Sequence, residues 1–216
     1  MNVEEYRARW PSEESSPGWD AIDEALAPVY GAQEPRHWAP DIPAIAGGPD
    51  PIDGISVYRS MSGGVPHLHL VTYGFSQLYY DEDCVGKDFS RFGFELTFRL
   101  RQDPADESLP NLALNLMQNI ARYVFKSGRW FEPGHRMPAN GPIKLDDPTQ
   151  LVGIVFDLDA ELGVIDTPHG EVQFLQMFGV SQAELDRMKG SDPGAQAVLA
   201  EHRASNPLLV TDLARG

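Results

Sequence analysis

The chain is poor in cysteine, in positive charge and in long apolar runs, and each shortage excludes something. Cys84 is its only cysteine. Intramolecular disulfides are therefore excluded, as are metal sites built from several thiolates, and a reducing compartment fits. No apolar run approaches the roughly 18 residues of a membrane span, so the sequence predicts no transmembrane helix. The opening Met-Asn-Val-Glu-Glu-Tyr-Arg has neither a basic n-region nor an apolar h-region, which predicts no secretory signal and a cytoplasmic location. Lysine and arginine number 17 against 32 aspartates and glutamates, a net charge of −15. Such a surface repels nucleic acid and anionic lipid and steers basic partners inward. The same acidity would also serve solubility alone.

What is present is enough for a core. A chain of 216 residues, 42% hydrophobic and 10% aromatic, suits one domain that needs no staples. The clearest element is Phe92-Gly-Phe-Glu-Leu-Thr-Phe-Arg-Leu100, where Phe92, Phe94, Leu96, Phe98 and Leu100 alternate with Gly93, Glu95, Thr97 and Arg99. That period of two predicts a strand with one buried face and one face lined by polar groups. Ile55–Ser60 and Leu68–Phe75 read as two further strands, and the short link Ser62-Gly-Gly-Val-Pro66 makes them an antiparallel pair. Leu151–Leu158 is a fourth, and Val164–Ile165 pairs with Val172–Phe178 across Asp166-Thr-Pro-His-Gly170. Leu208–Thr211 could return to the sheet.

Helices fall between these strands. The first spans Pro17 to Val29, with Ser16 as N-cap, Pro17 at the first position and a buried stripe of Trp19, Ile22, Leu26 and Val29. Pro28 puts its last turn in question. A second covers Asn111 to Lys126, closed by Gly128, with Leu112, Leu116, Ile120 and Val124 lining one side and Met117, Tyr123 and Phe125 widening it. Ser181-Gln-Ala-Glu184 has capping-box spacing and opens a third to about Met188. Asp192-Pro193 opens a fourth to about Arg203. Residues 1–16 read as a loosely held polar arm, residues 17–216 as one domain, and 131–149 as a Pro- and Gly-rich loop. Strands with helices inserted between them predict an α+β fold with a mixed, largely antiparallel central sheet packed with helices.

Short catalytic signals fail on inspection. His67 and His69 fall on one side of a strand, a spacing that can begin a metal site, but no third ligand is fixed. The alternatives are a solvated strand face or hydrogen bonds within the fold. Ile154-Val-Phe-Asp-Leu-Asp159 resembles the nucleophile strand of haloacid-dehalogenase-type phosphatases, but Ala160-Glu161 stands where Gly-Thr should follow. Asp157 and Asp159 are therefore read as the solvated end of a buried strand. As a calcium loop the stretch fails at Leu162 and Pro168. Gly74-Phe-Ser-Gln-Leu78 lacks the second glycine of a nucleophile elbow. Cys84, set in an acidic run, should have a raised pKa and low reactivity. Binding chemistry stands out instead. Tyr73, Tyr79 and Tyr80, with Phe75, cluster beside Asp81, Glu82, Asp83 and Asp88. Rings next to carboxylates can hold a partner's cation, imidazole or amide; equally, the rings could be core and the acids a solvated turn.

Longer segments carry a resemblance. Gly47-Gly-Pro-Asp-Pro-Ile-Asp53, Ser56-Val-Tyr-Arg59, Tyr73-Gly-Phe-Ser-Gln-Leu-Tyr79 and Phe92–Leu100 are followed in order by Leu116-Met-Gln-Asn-Ile-Ala-Arg-Tyr-Val-Phe125 and Thr167-Pro-His-Gly-Glu-Val-Gln-Phe-Leu-Gln176. Gly179-Val180, Glu184-Leu185 and Thr211-Asp-Leu-Ala-Arg-Gly216 complete the series. In these segments the chain resembles the suppressor of fused family, over about residues 18–216 and along the N-terminal domain only. The resemblance implies a cytoplasmic, non-catalytic regulator with no cofactor or metal, whose two domains close on an extended partner peptide. It also implies a Tyr and an Asp that grip a histidine of that peptide. Tyr79 matches the Tyr and Asp88 is the candidate for the Asp, with Tyr80 and Tyr73 beside them as partner-binding residues. Single-domain relatives look bacterial and are proposed to be immunity proteins that neutralise toxins. The expected partner is thus a basic protein, either a toxin or an extended peptide taken up by strand addition.

Overall fold

The structure, a computed structural model, describes residues 1–139, 141–143, 149–189 and 192–215. The elements run α1 (Val3–Arg9), α2 (Pro17–Tyr30), β1 (Arg36–Trp38), β2 (Gly54–Ser60), β3 (His67–Tyr73), β4 (Phe89–Arg101) and α3 (Asn111–Ser127). After these come β5 (Arg136–Pro138), β6 (Leu151–Leu158), β7 (Val164–Thr167), β8 (Gly170–Ser181), α4 (Gln182–Arg187) and α5 (Asp192–Arg203). All eight strands join one sheet of order β1-β2-β3-β4-β8-β6-β5, with β7 also pairing β8. Among the named strands β4 and β8 run parallel and every other pair is antiparallel. The expected α+β class with a mixed, largely antiparallel sheet is the observed one.

Helices cover both faces. Phe94, Leu96, Phe98 and Leu100 of β4 point to the face covered by α3, whose Ala113, Leu114, Met117, Ile120, Ala121 and Val124 pack there. Each large apolar side chain buried in this layer contributes about 1.5–3 kcal/mol. On the opposite face α2 covers β2 and β3 through Ile22 and Leu26. There α4 and α5 cover β6 and β8 through Leu185, Met188, Val198 and Leu199. No helix among the described residues is long and apolar enough to cross a membrane.

Several expectations change. The α3 stripe is rotated: Ala113, Leu114 and Ala121 are buried with Ile120 and Val124, Leu112 and Leu116 are only half-buried, and Tyr123 is exposed. A single-helix pattern with apolar residues on both flanks leaves the phase open. Helix α2 continues through Pro28 to Tyr30, because a proline near the end forfeits only one bond of the last turn. Ser16 holds the N-cap position but its hydroxyl caps nothing. Residues 1–16 are not a loose arm, since α1 forms behind an Asn2–Glu5 capping box and buries Tyr6 completely. Within the 131–149 loop, β5 adds an edge strand. Residues 140 and 144–148 of that loop, and Gly216 of the terminal motif, lie outside the described residues. Thr211 does return to the sheet, bridging Leu100 in parallel.

The polar face of β4 is buried too. Glu95, Thr97 and Arg99 are all inaccessible, and they face the seam between the α2 cluster and the α4–α5 cluster. Arg99 pairs there with Asp159 at 2.9 Å and Glu161 at 2.9 Å, and Thr97 donates to Asp159 at 2.8 Å. Asp159 is thus not a solvated strand end but the hub of a buried ion cluster. Asp157 is likewise buried and pairs with Arg203 of α5. Both carboxylates sit where helices from distant sequence close over the strand end, which a strand pattern alone does not reveal.

Candidate partner-binding site

The site begins with a turn. At Gly74 the chain leaves β3 with φ 131°, and a Cβ there would lie 2.9 Å from the Asp53 backbone nitrogen. Only glycine fits that combination of angle and space. Glu95 then fastens the turn from β4. Its Oε1 accepts from the Gly74 N–H (2.9 Å), the Ser76 N–H (2.9 Å) and the Ser76 hydroxyl (2.7 Å), while Oε2 accepts from Thr72 (2.7 Å). Burial raises the Glu95 pKa above the usual carboxylate range, against the pull of these donors.

The segment after the turn runs along the head of β4. The Phe92 N–H donates to the Phe75 carbonyl (3.2 Å) and the Gln77 N–H to the Ser90 hydroxyl (2.9 Å). These contacts lay the 75–77 segment beside Ser90 and Phe92. Tyr79 is 47% exposed and its hydroxyl donates to Asp53 Oδ1 at 2.8 Å. Burial, then the Asp53 hydrogen bond, pushes its pKa up to about 12, so the phenol remains a neutral donor. Asp88 is exposed; its backbone carbonyl accepts from the Glu171 N–H at 3.0 Å. Among the described residues its carboxylate has no hydrogen-bond or ion-pair partner.

The remaining sequence candidates divide. Tyr80 is half-buried, packs tilted against Tyr6 with centroids 4.9 Å apart and donates to Glu82. Glu82 also pairs with Arg7, so this end of the acidic loop is tied to α1. Tyr73 is buried instead, its ring stacked under Trp19 at 4.4 Å and its hydroxyl donated to Asp23 at 2.8 Å. It belongs to the core beneath α2 and is unavailable to a partner. Cys84 donates to Asp81 at 3.1 Å, and burial and then Asp81 raise its pKa, as its acidic surroundings predict.

Sequence reasoning missed a support behind the loop. His169, in the β7–β8 turn, is fully buried between the Gln77 carbonyl (3.0 Å from Nδ1) and the Tyr6 hydroxyl (2.8 Å from Nε2). With Nδ1–H donating, Nε2 accepts from Tyr6, whose oxygen in turn accepts from the Asp81 N–H at 3.0 Å. One relay therefore ties the Gln77 segment, the β7–β8 turn, α1 and the acidic loop together. The Asn2/Glu5 box with Tyr6 and Trp10 four residues apart was the signal that could have found it.

His67 and His69 are both buried, not solvated. His67 Nδ1 lies 2.7 Å from the Val65 carbonyl. Tyr30 bonds His69 Nδ1 at 2.5 Å, and His69 Nε2 lies 3.2 Å from Asp159, close but poorly aligned for a hydrogen bond. Burial lowers both pKa values, with Arg99 adding to the effect. Among the described residues no group of three or more His, Cys, Asp and Glu is arranged to hold a metal.

Sheet, covering helices and an aromatic–acidic loop cluster at the head of the longest strand define an α+β domain. The sequence profile of the suppressor of fused protein (SUFU) matches residues 48–216. The suppressor of fused homologues of Mus musculus and Homo sapiens are each 36% identical across 88% of this chain, and the match covers 43% of their length. The chain belongs to the suppressor of fused family. Its fold is similar to a chain of the Sufu–Fu complex, with a TM-score of 0.83 and 31% identity over 94% of this chain and 92% of that one. Drosophila Suppressor of Fused is similar at a TM-score of 0.83 and 30% identity, over 95% of this chain and 52% of that one. A SUFU homologue from Neisseria gonorrhoeae shares the fold, with a TM-score of 0.60 and 10% identity over 92% of this chain and 95% of that one.

Proposed function

We propose that this chain is a non-enzymatic, cytoplasmic binding domain that captures a basic or histidine-bearing segment of a partner protein between Tyr79 and Asp88. The observation that supports it is a half-exposed phenol, Tyr79, and an exposed carboxylate, Asp88, with no partner among the described residues, near the ends of two segments joined by Phe75–Phe92 and Gln77–Ser90. A neutral phenol and a carboxylate offer a ring face, a hydroxyl and an acceptor to one imidazole or ammonium group. The net charge of −15 speeds encounter with such a partner. The chain covers 92% of the matching chain in the Sufu–Fu complex. Likeness to a chain of that complex over this extent supports a partner-binding reading.

The finer reading is that the partner is a toxin and the domain neutralises it in a bacterial host. Affinity purification from the host, followed by mass spectrometry, tests this directly. A stoichiometric basic toxin lost on Tyr79→Ala and Asp88→Ala is the expected result. A partner whose affinity is unchanged by both substitutions would remove the site. A partner that is no toxin would favour an adaptor that sequesters a regulatory protein by strand addition.

A further inference from the structure

A second surface has the opposite character. Between Phe89 and Phe94 the register of β4 against β8 slips, so that five residues of β4 span two of β8. Arg91 and Gly93 both take positive φ, 55° and 78°. A left-handed arginine is uncommon and held conformations of this kind gather at functional positions. The bulge opens a cleft of about 490 Å³ between β4 and the segment after α3, lined by Phe89, Arg91, Phe92, Trp130, Phe131 and Glu132. Phe89 is 55% exposed and Trp130 59%. An adjoining hollow of about 400 Å³ shares Trp130 and Phe131 and adds Arg129 and Arg136 to the rim.

Arg91 is positioned by neutral groups. Its guanidinium lies 4.6 Å from the Phe125 ring centroid and donates to the Gly74 carbonyl at 3.1 Å. Among the described residues the Arg129 side chain bonds the Tyr123 hydroxyl alone, at 3.3 Å. Among the described residues no carboxylate forms an ion pair with Arg91, Arg129 or Arg136. Glu132, the acid on this wall, is engaged by the Trp130 indole at 3.2 Å and by His135 at 3.7 Å. On a chain of 17 basic and 32 acidic residues, three guanidiniums without an ion pair among the described residues gather around exposed rings.

We infer that this cleft docks an acidic, apolar-rich extended segment of a partner protein, with aromatic or aliphatic side chains against Trp130 and Phe89 and carboxylates on Arg91 and Arg129. Arginine beside exposed tryptophan is the composition of interface hot spots, and Arg–carboxylate pairs form there with directional hydrogen bonds. A polynucleotide would meet the same rings and cations. Its phosphates, however, would have to cross a strongly anionic surround and lie against Glu132, whereas a peptide can use Glu132 as an acceptor for its N–H groups.

The test is fluorescence anisotropy on the full chain with three labelled probes: a peptide alternating Glu with Phe, its Lys-for-Glu counterpart, and oligo-dT. The Glu/Phe peptide should bind, weaken as salt rises, and lose about tenfold or more in affinity on Arg91→Glu and on Trp130→Ala. Arg187→Glu, on α4 across the sheet, and Tyr79→Ala should leave it unchanged, which separates this surface from the Tyr79–Asp88 site. If Arg91→Glu fails to fold, Arg129→Glu on the exposed rim takes its place. Absence of Glu/Phe binding, equal binding by the cleft variants, or tighter binding of oligo-dT would each overturn the inference. So would sedimentation showing a self-associated chain that Arg91→Glu dissociates, since the occupant would then be a second copy.

Discussion

Ser76 and Glu95, nineteen residues apart, meet in the interior, where both the N–H and the hydroxyl of Ser76 donate to one carboxylate oxygen. That oxygen also accepts from Gly74, so a single buried side chain of β4 sets the path of the segment that delivers Tyr79. The polar half of the Phe92–Leu100 alternation thus shapes the binding loop, while the apolar half builds the core.

Glu95→Gln should therefore do more than soften one contact. The amide nitrogen would face donors on one side or the other, leaving at least one buried N–H or hydroxyl without an acceptor. The expected cost is about 2–3 kcal/mol. Ser76→Ala, which loses the hydroxyl but keeps the N–H bond, should cost about 1 kcal/mol. Urea unfolding at neutral pH measures both, and the ordering of the two variants is the decisive outcome.

Tyr79 tests the site itself. Its hydroxyl should titrate near pH 12 in an ultraviolet absorbance titration, because burial and Asp53 both oppose the phenolate. Asp53→Asn should bring that titration down toward the ordinary tyrosine range. No change would mean that the Asp53 hydrogen bond is absent in solution. Tyr79→Phe should alter stability by less than about 1 kcal/mol, since the ring is half exposed, and act on partner affinity instead.

Tyr6→Phe should loosen the acidic loop. The variant keeps the ring that packs against Trp10 and Tyr80, with centroids 5.2 and 4.9 Å away, but removes the partner of His169 Nε2 and of the Asp81 N–H. Faster amide exchange across 81–86 with little change in the β4 core is the expected pattern, at a cost of about 1–3 kcal/mol. Uniformly faster exchange would show instead that α1 supports the whole sheet.

How much of this was legible follows from what each pattern encodes. The alternation over Phe92–Leu100 names the two faces of β4, but not that α2 and α4–α5, drawn from both ends of the chain, close over the polar one. Glu95, Arg99 and Asp159 were therefore invisible as buried groups. Tyr73 reads like Tyr79 in sequence, yet falls on the strand under Trp19 while Tyr79 lies beyond the turn. The hairpin of β7 and β8 and the capping box at Ser181 were readable because their signals are local. The α1 contact was not, because Tyr6 and His169 are 163 residues apart.

Three buried histidines fix the direction of the pH response. Burial is the main cause of the lowered pKa of His67, His69 and His169. The unfolded chain, with histidines near pKa 6.5, therefore binds more protons than the folded one as pH falls. Their contribution to stability is complete above about pH 6.5 and is lost as pH drops through the folded values. Each can remove up to about 1.4 kcal/mol per pH unit in that window. Asp159 adds to the loss only at lower pH: burial would raise its pKa, but His69, Arg99 and the Glu161 N–H outweigh that and hold it well below the carboxylate range. Glu95 works the other way, since its raised pKa favours the folded state on the acid side and its contribution fades as pH rises. Asp23, raised by burial like Glu95, and His37, lowered by burial like the other three, bring the balance to two carboxyls against four histidines, so urea midpoints should fall from pH 7.5 to pH 5.5. His169→Gln should flatten that slope, and a midpoint that holds or rises on acidification would mean these imidazoles are protonated in the folded chain.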